Sequence, residues 1–210
     1  MCIARAAYSG SMTQTSRDVQ REQTRVRLLD ATLDCLVRHG YTATTTQRIQ
    51  DAAGVSRGAL LHHFSSKSEL LVAATHRLAE QRLELVKTVA ASIDSAEDPL
   101  EQIVIAIREQ MEGPPFQAAL ELWAAARTDA ELREALRPAE QRLGTEIKAL
   151  FITHAGIADE EKSSLAYESL MAMIRGFEVT RPLRVHGDVA DSVLRTWLDF
   201  VRTFNTPEHP

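Results

Sequence analysis

The chain predicts an all-α protein, and three observations carry that expectation. Ala, Leu, Glu and Arg dominate the 210 residues, and these types enter helices at little cost. Aromatic residues make up only 5% and β-branched runs are scarce, so strands lack their usual material. Apolar residues recur three or four positions apart along most of the length, the spacing of a helix face. With 44% apolar residues, a chain of this size can bury a sizeable core in one or two domains.

Residues 1–18 show no periodicity and hold Ser, Thr, Gly and Gln, so they read as a flexible N-terminal arm. The first helix spans about Val19 to His39. Val26, Leu29, Leu33, Leu36 and Val37 form its apolar stripe, and Gly40 ends it. Thr44-x-x-Gln47 reads as a capping box, the hydroxyl accepting an early backbone N–H and the Gln side chain reaching back. A short helix then runs through Ile49, Ala52 and Ala53. Gly54 follows, where a positive φ comes at little steric cost. Val55 plugs the corner and Ser56 caps the next helix, Arg57 to about His63. Leu60 and Phe64 lie one turn apart and face the core. Arg57, Ala59, Leu61 and His62 project outward, and Gly58 permits close backbone approach. Ser66-x-x-Glu69 is a second capping box. It opens a fourth helix that continues past Val86 to about Ile93, with Leu71, Ala74, Leu78, Leu85 and Val89 on one face.

Five further helices are expected, about nine in all. Asp98, Pro99 and Glu101 start the fifth, which carries Ile103, Val104 and Ile107. Gly113-Pro114-Pro115 breaks it. Phe116, Leu120, Leu122 and Trp123 mark a sixth ending near Arg127. Thr128-x-x-Glu131 caps a seventh, which runs through Leu132, Leu136, Leu143, Ile147 and Leu150 to about His154. Pro138 inside that run should kink or divide it. After Gly156 come two strongly apolar helices separated by Gly187-Asp188. Residues 206–210 form a tail. The boundaries place a head at 19–66 and a helical body at 67–205.

The net charge of −5 is unevenly spread. Residues 1–80 hold ten Lys and Arg against seven Asp and Glu; residues 81–210 hold fourteen against twenty-two. A mildly basic head on an acidic body is the asymmetry expected when one end meets phosphate. No 18-residue apolar run suggests a membrane span, and Met1 to Gly10 lacks the apolar stretch of a secretory signal. Cys2 and Cys35 are too few for a disulfide framework. A reduced, cytoplasmic, bacterial-type protein is expected. Neither a Gly-rich phosphate loop, a metal-spaced His/Cys cluster nor Gly-x-Ser-x-Gly occurs, so no catalytic residue, metal or cofactor is assigned. His62 and His63 point roughly 100° apart on a helix and cannot easily share an ion.

Two short helices around a tight turn, with a third helix following, form the layout in which the second element reads DNA. Thr44 to Leu71, with the helix before it, resembles the DNA-binding domain of the tetracycline-repressor (TetR) family of bacterial regulators. The matching marks are Gly40-Tyr41, Thr44-Thr45, Ile49, Ala53-Gly54-Val55-Ser56, Gly58, Leu60, His63-Phe64 and Lys67. Two positions depart from the usual pattern: Gln50 stands for a small Ala, and Leu61 for a frequent Tyr. The resemblance implies a DNA surface built from Thr44, Thr45, Arg57, Gly58, Ala59, Leu61, His62, His63 and Lys67. Arg57 is the first choice for a base contact, since Arg grips guanine bidentately. Helix starts at Thr44, Thr45 and Lys67 suit phosphate.

One such head makes few contacts, so a dimer on a palindromic double-stranded operator is expected. The last two helices carry apolar residues over more than half their circumference. Leu170, Ile174, Val193, Trp197, Phe200, Val201 and Phe204 are therefore candidates for a two-fold homodimer interface. The middle helices resemble the family's ligand-binding domain only loosely. Ile107, Met111, Phe116, Leu120, Trp123, Arg127, Met173 and Phe177 are candidate pocket residues, with Arg127 and Glu121 as polar anchors for a small apolar or amphipathic effector. The fourth helix is the natural lever between body and head. The implied function is a ligand-responsive repressor. The alternatives are a DNA-binding relative without a small ligand, or a helical enzyme.

Overall fold

Nine α-helices and no strand form among the residues that the computed structural model describes, 16–93, 97–184 and 188–205. They are α1 (Ser16–Ala43), α2 (Thr46–Ala53), α3 (Arg57–His63), α4 (Lys67–Ile93), α5 (Pro99–Gln110), α6 (Gly113–Ala126), α7 (Ala130–His154), α8 (Glu160–Thr180) and α9 (Asp188–Arg202). Short 3₁₀ turns follow α8 and α9. The all-α expectation holds. Residues 1–15 of the expected arm, the 206–210 tail and Gly187 lie outside the described residues, whereas residues 16–18 belong to α1 and not to a flexible arm.

Two apolar cores divide the molecule. The smaller one joins Leu28, Leu29, Ala31 and Cys35 of α1 to Ile49, Ala53, Leu60 and Phe64, and closes on Leu70 and Ala74 of α4. The larger one fills the space between α4, α5, α6, α7, α8 and α9, with Phe116 and Phe151 fully buried in it. Helix α1 serves both cores. Its Leu36 belongs to the larger one, where Leu33, Val37 and Tyr41 also pack, and α1 lies directly on α6. Burial pushes the Cys35 thiol up, away from the reactive thiolate form.

Several local expectations need correction. Thr45, not Thr44, caps α2: its hydroxyl accepts the Arg48 N–H at 3.3 Å. Thr44 is fully buried and donates its own hydroxyl to the Gly40 carbonyl at 2.8 Å. Gln47 turns forward to Asp51 instead of closing a box. Asp129, not Thr128, caps α7 by accepting the Leu132 N–H. A carboxylate one residue later outcompetes the hydroxyl, as charge-assisted bonds do. Pro114 and Pro115 lie in the first turn of α6, where a missing N–H costs nothing, instead of ending α5. Pro138 sits on the exposed side of α7, which continues through it.

The last helix docks through Leu194, Leu198 and Val201. Arg202 near its end pairs with Asp98 and Glu101 at the start of α5, clamping the C-terminal end of α9 to the body. No helix among the described residues is long and apolar enough to cross a membrane.

Gly40 breaks α1 with φ 72° and ψ 172°, a conformation that a side chain strains. A Cβ there would also stand 3.0 Å from Glu121 Oε2. Gly40→Ala should lower unfolding free energy by about 1–3 kcal/mol in urea titrations. Gly144→Ala, in open space within α7, should cost nothing and serves as the control.

Candidate functional site

The outer edge of the smaller core presents α3. Gly54, at φ 63°, ends α2 with its N–H aimed at the Asp51 and Gln50 carbonyls. Ser56 then opens α3, its hydroxyl accepting the Ala59 N–H at 3.2 Å. A seven-residue helix is too short to hold itself in water. Leu60 and Phe64, both buried, fix it to the core, and the Phe64 N–H closes the last turn on Leu60 at 2.8 Å. The anchoring leaves Arg57, Gly58, Leu61 and His62 exposed, with Ala59 and His63 half-buried. Leu61 is 51% exposed; an apolar side chain standing in water on this face is suited to a thymine methyl and not to a phosphate.

Thr45 is exposed at the start of α2, as a phosphate contact requires, whereas Thr44 is sealed inside and leaves the candidate set. Lys67 is half-buried. Its ammonium donates to the Tyr41 carbonyl at 3.4 Å and lies 4.8 Å above the Tyr41 ring. Burial draws its pKa down from the usual lysine range. Lys67 thus also closes the end of α1, in addition to any phosphate it meets.

Two cations escaped the motif. Arg21 and Arg25 of α1 reach the side of α3: Arg25 lies 4.8 Å over the Phe64 ring, and both lower the pKa of His63. They precede α3 by 36 and 32 residues in sequence. The available signal was the four-residue spacing of Arg17, Arg21 and Arg25, which stacks them on one helix face. Burial is the larger cause of the His63 shift, followed by His62, Arg21 and Arg25, with Glu22 opposing.

A joint connects this head to the body. The Tyr41 N–H donates to Glu121 Oε2 at 3.0 Å, and the Tyr41 hydroxyl donates to Asp129 Oδ2 at 3.2 Å. Glu121 is therefore engaged at the joint, not as a lone anchor in a pocket.

Two open clefts of the body meet at Trp123 and Arg127. One, of about 740 Å³, lies between Val37 of α1, Leu120, Glu121 and Ala124 of α6, and Glu178 and Val179 of α8. The other, of about 560 Å³, runs along Leu136, Glu140 and Gln141 of α7 toward Arg175 of α8. Of the candidate pocket residues, Leu120, Trp123 and Arg127 line these clefts. Ile107, Met111 and Phe116 do not, because all three are sealed in the larger core. Phe177 packs against that core beneath Arg184, whose guanidinium lies 4.5 Å from the ring. Met173 instead faces a groove with Val193, Trp197 and Phe200.

The candidate dimer residues also divide. Leu170, Ile174 and Val201 are buried inside the protomer, since α7, α8 and α9 already consume one side of each stripe. Val193 and Phe200 are exposed, at 38% and 60%, while Trp197 and Phe204 are half-buried. Phe200 meets Phe204 edge to face at 5.1 Å, and Val189 extends the same apolar face.

Comparison with known proteins follows this geometry. Residues 28–74 match the family model described as bacterial regulatory proteins, tetR family. An uncharacterised HTH-type transcriptional regulator of Mycobacterium tuberculosis is 32% identical over 118 residues, 56% of this chain and 60% of that protein. The HTH-type transcriptional regulator CymR of Pseudomonas putida is 34% identical over 130 residues, 62% of this chain and 63% of that protein. The chain thus spans about three-fifths of these relatives. A transcriptional regulator from Rhodococcus sp. Rha1 shares the fold, with a TM-score of 0.68 at 22% identity over 84% of this chain and 95% of that one.

Burial, with His62 and the nearby arginines, draws the His63 pKa down from the ordinary histidine range. Below about 6.5 the unfolded chain takes up this proton before the folded one, so its contribution makes stability fall as pH drops through that range. NMR titration should place the His63 midpoint below the ordinary value. A midpoint at or above about 6.5 would contradict the burial described here.

Proposed function

We propose that this chain is a regulator of the TetR family, a cytoplasmic, ligand-responsive transcriptional repressor that binds a palindromic operator as a homodimer. The observation that carries the proposal is the presentation of α3. Its inner face is locked by Leu60 and Phe64, and its outer face offers Arg57, Gly58, Leu61 and His62 without obstruction. That helix enters the major groove, with Arg57 at a base edge and Leu61 against a thymine methyl. Thr45, Arg21, Arg25 and Lys67 hold the phosphates on either side.

The outer face of α9, with exposed Val193 and Phe200 and half-buried Trp197, together with Phe204 of the turn that follows, pairs with its copy. Two-fold pairing sets the distance between the two α3 helices, matching half-sites about one helical turn apart. An effector in the clefts around Trp123 acts on α6. Helix α6 holds α1 through Glu121 and Tyr41, and α1 carries the head. A ligand that prefers the wrong head spacing lowers operator affinity by its differential affinity, typically ~1–3 kcal/mol of coupling.

The decisive experiment is a footprint on the DNA flanking the protein's own gene, followed by fluorescence anisotropy on the protected site. Arg57→Ala should weaken specific binding by about 1–3 kcal/mol, roughly 5- to 150-fold, and relax the preference at one base pair of each half-site. Absence of any protected site, at low salt, would reject the proposal. Phe200→Glu should give monomers by light scattering, with operator affinity lost and the helical spectrum retained. Dimers of unchanged affinity would refute the assignment of α9.

A further inference from the structure

We propose that the cleft between α6, α7 and α8 is built for an anionic amphiphile, an organic acid whose apolar body rests against Trp123 and whose carboxylate meets Arg175 and Arg127. The proposal deepens the effector site above and rests on that assignment.

Charge is the first ground. The cleft is lined by Arg127, Arg133, Arg137 and Arg175, with Glu140 as the only acid. It does so on a body in which acids outnumber bases by twenty-two to fourteen. Two of these arginines are already occupied: Arg137 pairs with Glu134 at 2.9 Å, and Arg133 donates to the Ala126 carbonyl at 3.0 Å. Among the described residues, Arg127 and Arg175 have no carboxylate within ion-pair distance. Arg175 instead lies over the Trp123 ring at 5.4 Å.

The second ground lies one layer deeper. Trp123 meets Phe116 edge to face at 5.5 Å, and the guanidinium of Arg82 lies 5.2 Å from the Phe116 ring. Arg82 is 3% exposed. Its Nε has no hydrogen-bond partner, and Nη2 reaches only the Met111 sulfur at 3.6 Å. No carboxylate among the described residues pairs with it; Glu140, on the cleft wall, is the acid that most favours its charge. A buried guanidinium without a counter-ion is destabilising, and a Met or Leu would fill the same space at lower cost. Two rings thus stand between two guanidiniums that lack a carboxylate partner, one buried in the core and one exposed at the cleft. An anion at the cleft is the occupant that lowers the energy of both. A cation is repelled by both, and a neutral ligand leaves both uncompensated.

The test uses one ring system in three charge states: 2-naphthoate, 2-naphthamide and 2-naphthylmethylammonium. Each is titrated into the full-length protein by calorimetry and into its operator complex by anisotropy. Naphthoate should bind about tenfold or more tightly than the amide, the ammonium more weakly still, since a bond to a charged group is worth more than a neutral one. Arg175→Gln should erase the difference between naphthoate and amide. Arg82→Met should raise the melting temperature of the ligand-free protein and reduce naphthoate affinity, a pair of effects that a structural role for Arg82 would not give. Equal binding of the three probes, no binding of naphthoate up to about millimolar concentration, or an Arg175→Gln protein that keeps the preference would overturn the anion assignment. Naphthoate held through Arg175 without release of the operator would leave the anion site standing and reject its role as effector site.

Discussion

Helix α1 belongs to two cores at once, and the bond that reconciles them is between the Tyr41 amide and the Glu121 carboxylate. The N-terminal half of α1 packs α2 and α3, while its C-terminal half lies on α6. After Gly40 the helix cannot continue its own hydrogen-bond ladder, so the Tyr41 N–H would be left unpaired in a half-buried place. A carboxylate from α6 satisfies it, and the charge makes the bond stronger than a neutral one. Lys67 and Asp129 complete the site by taking the carbonyl and hydroxyl of the same tyrosine. One residue therefore receives contacts from α4, α6 and the cap of α7. That convergence joins the head to the body alongside α4, the lever that sequence alone suggested, which also contributes to both cores.

The two ends of the molecule use charge differently. Around α3, cations gather on an exposed surface from separate helices, and burial first, then their positive charge, lowers the His63 pKa. Such a surface is at its worst when bare and improves when a polyanion arrives. In the body, Arg82 and Arg175 flank an aromatic pair. Arg82 is buried while Arg175 is exposed, so the low polarity around Arg82 makes its unpaired charge the consequential one.

Short-range features were legible in the sequence. Gly54, Ser56 and the Leu60/Phe64 pair act within a few residues of themselves, so their roles follow from local chemistry alone. The choice between Thr44 and Thr45 was not legible, because it turns on where the Gly40 carbonyl points after a break whose angles the sequence does not specify. The division of the α8 and α9 stripes was hidden for a similar reason. Leu170 and Phe200 are equally apolar, and only the placement of α7 decides which is covered. Periodicity identified the buried residues well, but could not tell core from cleft: Phe116 is sealed while Trp123, two turns on, reaches the surface of both clefts. The burial of Arg82 was not legible, because it depends on Met111 and Phe116 closing over it.

Gly40 and Glu121 also constrain how this sequence can drift. The carboxylate occupies the space that a Cβ at position 40 would need, and the backbone there is one that side chains avoid. Shortening the acid would vacate the space without relaxing the dihedral angles, and adding a methyl group would demand both changes together. A Gln at position 121 would still accept the Tyr41 N–H but would leave no more room at position 40, so a side chain at 40 is expected only together with a smaller residue at 121. Relatives that lack the glycine should also join their heads to their bodies by different atoms.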